Sequence, residues 1–75
     1  MQRGYFVKAM WDEEAEVWVS ESDIPGLVIE TETLAEFEQL MMALAPEMLA
    51  DNAGVRATRV PIDFSVQARR ELAVA

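Results

Sequence analysis

The segment from Ser22 to Leu34 holds a Pro-Gly corner, a short apolar run and a helix start in close succession. It limits what the rest of the chain can do. Pro25 fixes its own φ and drives Ile24 towards extended geometry. Gly26 supplies the permissive backbone that a type II turn requires after proline. Ser22 and Asp23 favour a turn by hydrogen-bonding nearby backbone. Leu27, Val28 and Ile29 then read as a short strand bounded on both sides. Thr33 is a good N-cap, and Glu36 stands three residues later, the spacing of a capping box. Glu30 and Glu32 suit the positive end of the helix that follows. Before this segment the chain reads as a hairpin, and after it as one helix and a returning strand.

Residues 1–12 read as a strand, aromatic and β-branched from Tyr5 to Trp11. Asp12, Glu13, Glu14, Ala15 and Glu16 form the turn, where crowded like charges can stay solvated. They lack the ligand spacing of a calcium loop, and nothing nearby would bury one carboxylate for acid–base work. Val17 to Glu21 is the second strand. A four-residue loop pairs Trp11 with Trp18 and Lys8 with Glu21, contacts worth roughly 0.2–1 kcal/mol each. Tyr5, Val7, Ala9, Trp11 and Trp18 then share one face; Phe6, Met10, Val17 and Val19 share the other. One helix cannot cover both faces, so the second is expected to meet another subunit or a partner.

The helix is expected from about Leu34 to about Asp51. Leu34, Phe37, Met41, Leu44 and Met48 form its apolar stripe, widened by Leu40. Pro46 deletes one hydrogen bond and crowds the Met42 carbonyl, at ~3 kcal/mol, so a kink or break with direction preserved is expected there. Met41, Met42 and Met48 could line an adaptable binding groove, but packing on the sheet is the preferred reading. Asn52 or Gly54 provides the left-handed helix end. Val55 to Phe64 reads as the last strand, and its alternation continues through Val66. Pro61 cannot donate to a ladder, which makes this an edge strand or a bulged one. Residues 66–73 read as further strand, with a short helix as the alternative. A long exposed edge invites pairing with another chain. Phe64 and Val66 join Phe6, Met10, Val17 and Val19 as the candidate interaction surface.

A chain of 75 residues forms one domain, 1–75, and one this short buries only roughly 60% of its unfolded surface. It has no Cys and no His, which removes disulfides, thiolate metal sites and the commonest general base. No catalytic residue, cofactor or metal is expected. Packing and self-association remain as sources of stability, consistent with an apolar fraction of 52%. The net charge of −8 disfavours nucleic acid as a partner. Arg56, Arg59, Arg69 and Arg70 are a local exception, read as a solvated face or intersubunit ion pairs. No signal peptide or membrane span is visible, and a cytoplasmic location is expected.

In order and spacing, the hairpin, the Asp23-Ile24-Pro25-Gly26-Leu27 corner and the Thr33-Leu34 helix start with Glu36 resemble the HicB-like antitoxin superfamily. The Trp11-to-Ala15 turn and the strand containing Pro61 look closer to a small uncharacterised branch of it. The likeness covers about residues 5–66. It implies an α+β domain of order β-β-β-α-β, with an antiparallel hairpin, a third strand, one helix on one sheet face and a final edge strand. That is a partial ribonuclease-H-like fold, with Asp23, Pro25, Gly26, Thr33 and Glu36 as structural motif positions. It further implies a non-catalytic interaction module, a homo-oligomer (dimer or tetramer), that neutralises a small basic HicA-like RNA-cleaving toxin. Such proteins often add a C-terminal DNA-binding segment. Only 23 residues follow Asn52, and the last strand is expected to use most of them. The alternative is a purely structural homo-oligomer without a toxin partner.

Overall fold

The fold is set by a hairpin whose register follows from its side chains. The computed structural model describes residues 4–56 and 59–74. The expected first strand also reached residues 1–3 and the last one residues 57 and 58; these positions, and residue 75 of the expected domain, lie outside the described residues. Strand β1 (Tyr5–Asp12) pairs antiparallel with β2 (Val17–Ser22), with Trp11 opposite Trp18 and Lys8 opposite Glu21. The indole rings lie 5.2 Å apart and tilted, and Lys8 Nζ stands 3.8 Å from the Glu21 carboxylate. The turn is closed by Asp12, whose carboxylate accepts from the Glu14 and Ala15 N–H groups. Glu16 takes a positive φ of 57° as its N–H returns to the Asp12 carbonyl.

The third strand falls later than expected. Leu27 and Ile29 are buried and Val28 is 81% exposed, so the run is extended and alternating. Its pairing is incomplete, because Ser20 takes part with its side chain. The Ser20 N–H donates to the Ile29 carbonyl, while the Ile29 N–H donates to Ser20 Oγ instead of a carbonyl. Regular pairing with β2 therefore holds only at β3 (Glu30–Thr31).

Helix α1 (Leu34–Asn52) starts as the capping residues dictate. The Glu36 N–H donates to Thr33 Oγ1 at 3.1 Å, and the Thr33 hydroxyl donates to the Glu36 carboxylate at 2.8 Å. Of the kink or break expected at Pro46, the break does not occur: the helix is continuous through it. Pro46 is exposed beside the buried stripe, and Met41, Ala45 and Leu49 of that stripe hold the helix to the sheet. Packing thus outweighs the local cost of proline. The buried stripe is Phe37, Met41, Ala45 and Leu49, with Leu34, Leu44 and Met48 partly buried beside it. Leu40 lies outside it, 40% exposed. Gly54, at φ 65°, ends the helix and lets the Val55 N–H return to the Leu49 carbonyl.

Strand β4 (Ile62–Gln67) lies parallel to β1, with Tyr5 opposite Ile62 and Met10 opposite Gln67. The sheet order is β3-β2-β1-β4, so β4 is an edge strand. Pro61 immediately precedes it and accepts from the Tyr5 N–H through its carbonyl. The strand starts later than the expected Val55 because Val55 and Val60 pack against the core from a connecting segment. Residues 68–74 are neither strand nor helix, correcting both readings of that stretch. β1 continues past Met10 by only Trp11 and Asp12 before its turn, which leaves little strand for them to extend along. The result is a small α+β fold, a four-stranded mixed sheet covered on one face by one helix. Parallel edges at opposite sides of a sheet need a long crossover, and α1 supplies it. Phe37 and Val7 are fully buried at the centre, and Phe64 stacks on Phe37 with ring centroids 6.0 Å apart.

Candidate functional site

Two apolar surfaces remain open once the core has formed. The first is the sheet face turned away from α1. The register places Phe6, Lys8 and Met10 of β1 on it, with Val17, Val19 and Glu21 of β2, Glu30 of β3, and Asp63 and Ser65 of β4. Met10 faces Val19 directly, and Phe6, 38% exposed, lies on the same face beyond Lys8. Asp12, Glu21, Glu30 and Asp63 surround this apolar strip, with Lys8 the basic side chain among them. Of the six residues expected to form an interaction surface, Phe6, Met10, Val17 and Val19 share this face, with Lys8 between Phe6 and the other three. Phe64 and Val66 do not. They pair with Val7 and Ala9 and so lie on the helix side of the sheet, where Phe64 is half-buried against Phe37.

The second surface is a groove of about 310 Å³ between the C-terminal half of α1 and the segment leading into β4. Met41, Met42, Ala45 and Pro46 form one wall, and Val55, Val60 and Ile62 the other. Of Met41, Met42 and Met48, the first two line the groove, whereas Met48 packs towards the Pro-Gly corner. Val55 and Val60 of the opposite wall have the alternation of a strand but lie in a connecting segment, and no local signal distinguishes the two.

The motif residues act on the scaffold. Asp23 Oδ1 accepts from the Phe6 N–H at 2.9 Å, and the Ser22 hydroxyl donates to the Phe6 carbonyl at 2.7 Å. Two side chains thus continue the β1 ladder past the end of β2, satisfying backbone groups that would otherwise need water. Gly26 has φ 83°, a left-handed geometry, and a side chain there would run into the Asn52 amide and the Met48 sulfur. Asn52 was not singled out from the sequence beyond its capping role, yet its amide donates to the Pro25 carbonyl at 3.0 Å. Thr31 is buried, and its hydroxyl donates to the Thr33 carbonyl, which holds the helix entry.

Among the described residues, no group of three or more His, Cys, Asp or Glu side chains is placed to hold a metal ion. No described helix is long and apolar enough to cross a membrane. The turn carboxylate of Asp12 is engaged by backbone N–H groups.

The sequence model of a domain of unknown function, DUF1902, matches residues 4–74. The chain is also similar to a crystal structure described as hypothetical protein TTHA1013 from the extremely thermophilic bacterium Thermus thermophilus. The two share 40% identity over 96% of this chain and 100% of that one, with a TM-score of 0.69. A search of curated proteins found no match.

Proposed function

This chain belongs to the DUF1902 family, and we propose that it is a non-catalytic, cytoplasmic interaction module that associates with itself and covers a small basic partner. The observation that carries this reading is the uncovered sheet face, where Met10, Val17 and Val19 gather, Phe6 lies beyond Lys8, and Asp12, Glu21, Glu30 and Asp63 stand around them. An apolar centre with an acidic rim suits a partner with an apolar patch and a basic surround. The order of elements and the Asp23-to-Glu36 motif support the finer reading, a HicB-like antitoxin domain of partial ribonuclease-H-like type whose partner is a HicA-like ribonuclease.

The test is titration of the full chain against a purified HicA-like ribonuclease, following RNA cleavage and complex formation by calorimetry. Stoichiometric binding that stops cleavage, lost in Phe6→Asp with the fold intact by circular dichroism, is the expected result. No binding by the native chain overturns the toxin reading. The second reading, a homo-oligomer without a toxin partner, is favoured by the free outer edge of β4 and the exposed residues after it.

A further inference from the structure

The residues that follow β4 leave the body of the protein. The radius of gyration is 14.4 Å, against roughly 11 Å for a compact chain of this length, and the longest dimension is 54 Å against 22 and 17 Å. Arg70 sets the root of this arm, its guanidinium 5.8 Å from the centre of the Trp11 ring. Beyond it Leu72 is 84% and Val74 92% exposed. Two large aliphatic side chains, alternate along an extended segment, therefore stand in solvent in a domain with little core to spare.

The same molecule has an unfilled apolar groove, between α1 and the segment leading into β4. It lies at the Ile62 end of β4, whereas the arm departs from the Gln67 end, where Arg70 lies over Trp11. The arm as it stands does not fill the groove of its own chain. The charges on the helix wall complement the arm. The C-terminal half of α1, which forms that wall, carries Glu47 and Asp51 and no basic residue, while the arm brings Arg69 and Arg70 with one acid, Glu71. Arg56 and Arg59 belong to the opposite wall, so the favourable side for the arm's arginines is the helix.

We propose that the arm of residues 68–74 docks, through Leu72 and Val74, into the groove between α1 and β4 of a second copy of this chain. A reciprocal exchange of this kind is closed and two-fold, burying both arms and both grooves in one step. It rests on the reading that the chain associates with itself, and it names the surface involved. It leaves Phe6, Met10, Val17 and Val19 free for another partner.

The native chain has no cysteine, so introduced thiols report on this contact alone. Full-length Leu72→Cys and Met42→Cys are mixed and oxidised; both positions are exposed, Met42 at 70%. The expected product is a mixed disulfide of twice the 8.4 kDa chain mass, favoured over either variant linked to itself. Light scattering on the native chain is expected to show a dimer, and Leu72→Asp/Val74→Asp a monomer with an unchanged circular dichroism spectrum. A dimer that survives the double aspartate variant without a mixed disulfide overturns arm exchange while leaving self-association standing. A native monomer at high micromolar concentration overturns both. A Met42→Cys/Leu72→Cys double variant that closes its disulfide at monomer mass shows an arm folded onto its own groove, and also overturns the proposal.

Discussion

The side-chain amide of Asn52, at the last turn of α1, donates to the carbonyl of Pro25 at 3.0 Å. The two residues lie far apart in sequence, and the bond ties the end of the helix to the corner that begins the run towards β3. Gly26 sits beneath it, with no room for a Cβ. Gly26→Val is expected to destabilise the protein by ~2 kcal/mol or more, from left-handed backbone strain and the clash with Asn52. Asn52→Ala alone is expected to cost about 1 kcal/mol. The diagnostic result is a coupling: Gly26→Ala costs less in an Asn52→Ala background, where the obstructing amide is gone. Thermal melting of the four proteins measures it, and strict additivity contradicts the steric account.

Asp23 serves β1 as a surrogate strand residue. Asp23→Ala removes the acceptor for the Phe6 N–H at one end of the sheet. The expected loss is about 1–2 kcal/mol, with Asp23→Asn less affected because it keeps a side-chain oxygen. Hydrogen exchange at the Phe6 amide is the sharper measurement. It is expected to quicken in Asp23→Ala, and an unchanged rate removes Asp23 from the ladder.

Phe37 is fully buried and stacks on Phe64. Truncation to alanine in such a site costs about 3–5 kcal/mol. Domains of this size are stable by only about 4–11 kcal/mol. Urea unfolding is therefore expected to show Phe37→Ala largely or wholly unfolded at low denaturant, and Phe37→Leu folded with a lower midpoint. A Phe37→Ala midpoint close to that of the native chain contradicts the placement of this ring at the centre of the core.

Pro46 lies inside a continuous helix and is exposed. Pro46→Ala restores a donor towards the Met42 carbonyl and relieves crowding there, for a gain of up to ~3 kcal/mol. Tm is expected to rise. A fall in Tm means that the proline ring, which also lines the groove, contributes more by packing than it costs in the backbone.

The hairpin was legible because its register is fixed by side chains near the turn: a loop centred on Glu14 and Ala15 sets Trp11 against Trp18 and Lys8 against Glu21 together. The helix start was equally legible, since Thr33 and Glu36 act over one turn of chain. What escaped the sequence were the outcomes of competition between distant groups. Pro46 looks like a helix breaker until Met41, Ala45 and Leu49 are seen anchored to the sheet on both sides of it. Leu27 to Ile29 looks like a strand until the Ser20 hydroxyl takes the bond a carbonyl would have taken. Val55 and Val60 alternate as strand residues do, yet β1 offers a ladder only from Tyr5 onward, so β4 waits until Ile62. The open sheet face could be read from the parity of Phe6, Met10, Val17 and Val19. Phe64 and Val66 were misplaced onto it because the facing of a lone edge strand depends on its register, which β1 sets.

The parallel pairing of β1 with β4 has a consequence for how the protein is made. During synthesis the hairpin and α1 are complete once Asn52 is available, but the outer edge of β1 then has no neighbour. It stays bare until Ile62 to Gln67 emerge. Tyr5, Val7 and Ala9, the innermost residues of the finished sheet, are thus translated well before the strand that encloses them. A pause or premature stop between Asn52 and Ile62 leaves a nearly finished domain with an open apolar strand edge, which is the form most prone to join its neighbours on a polysome.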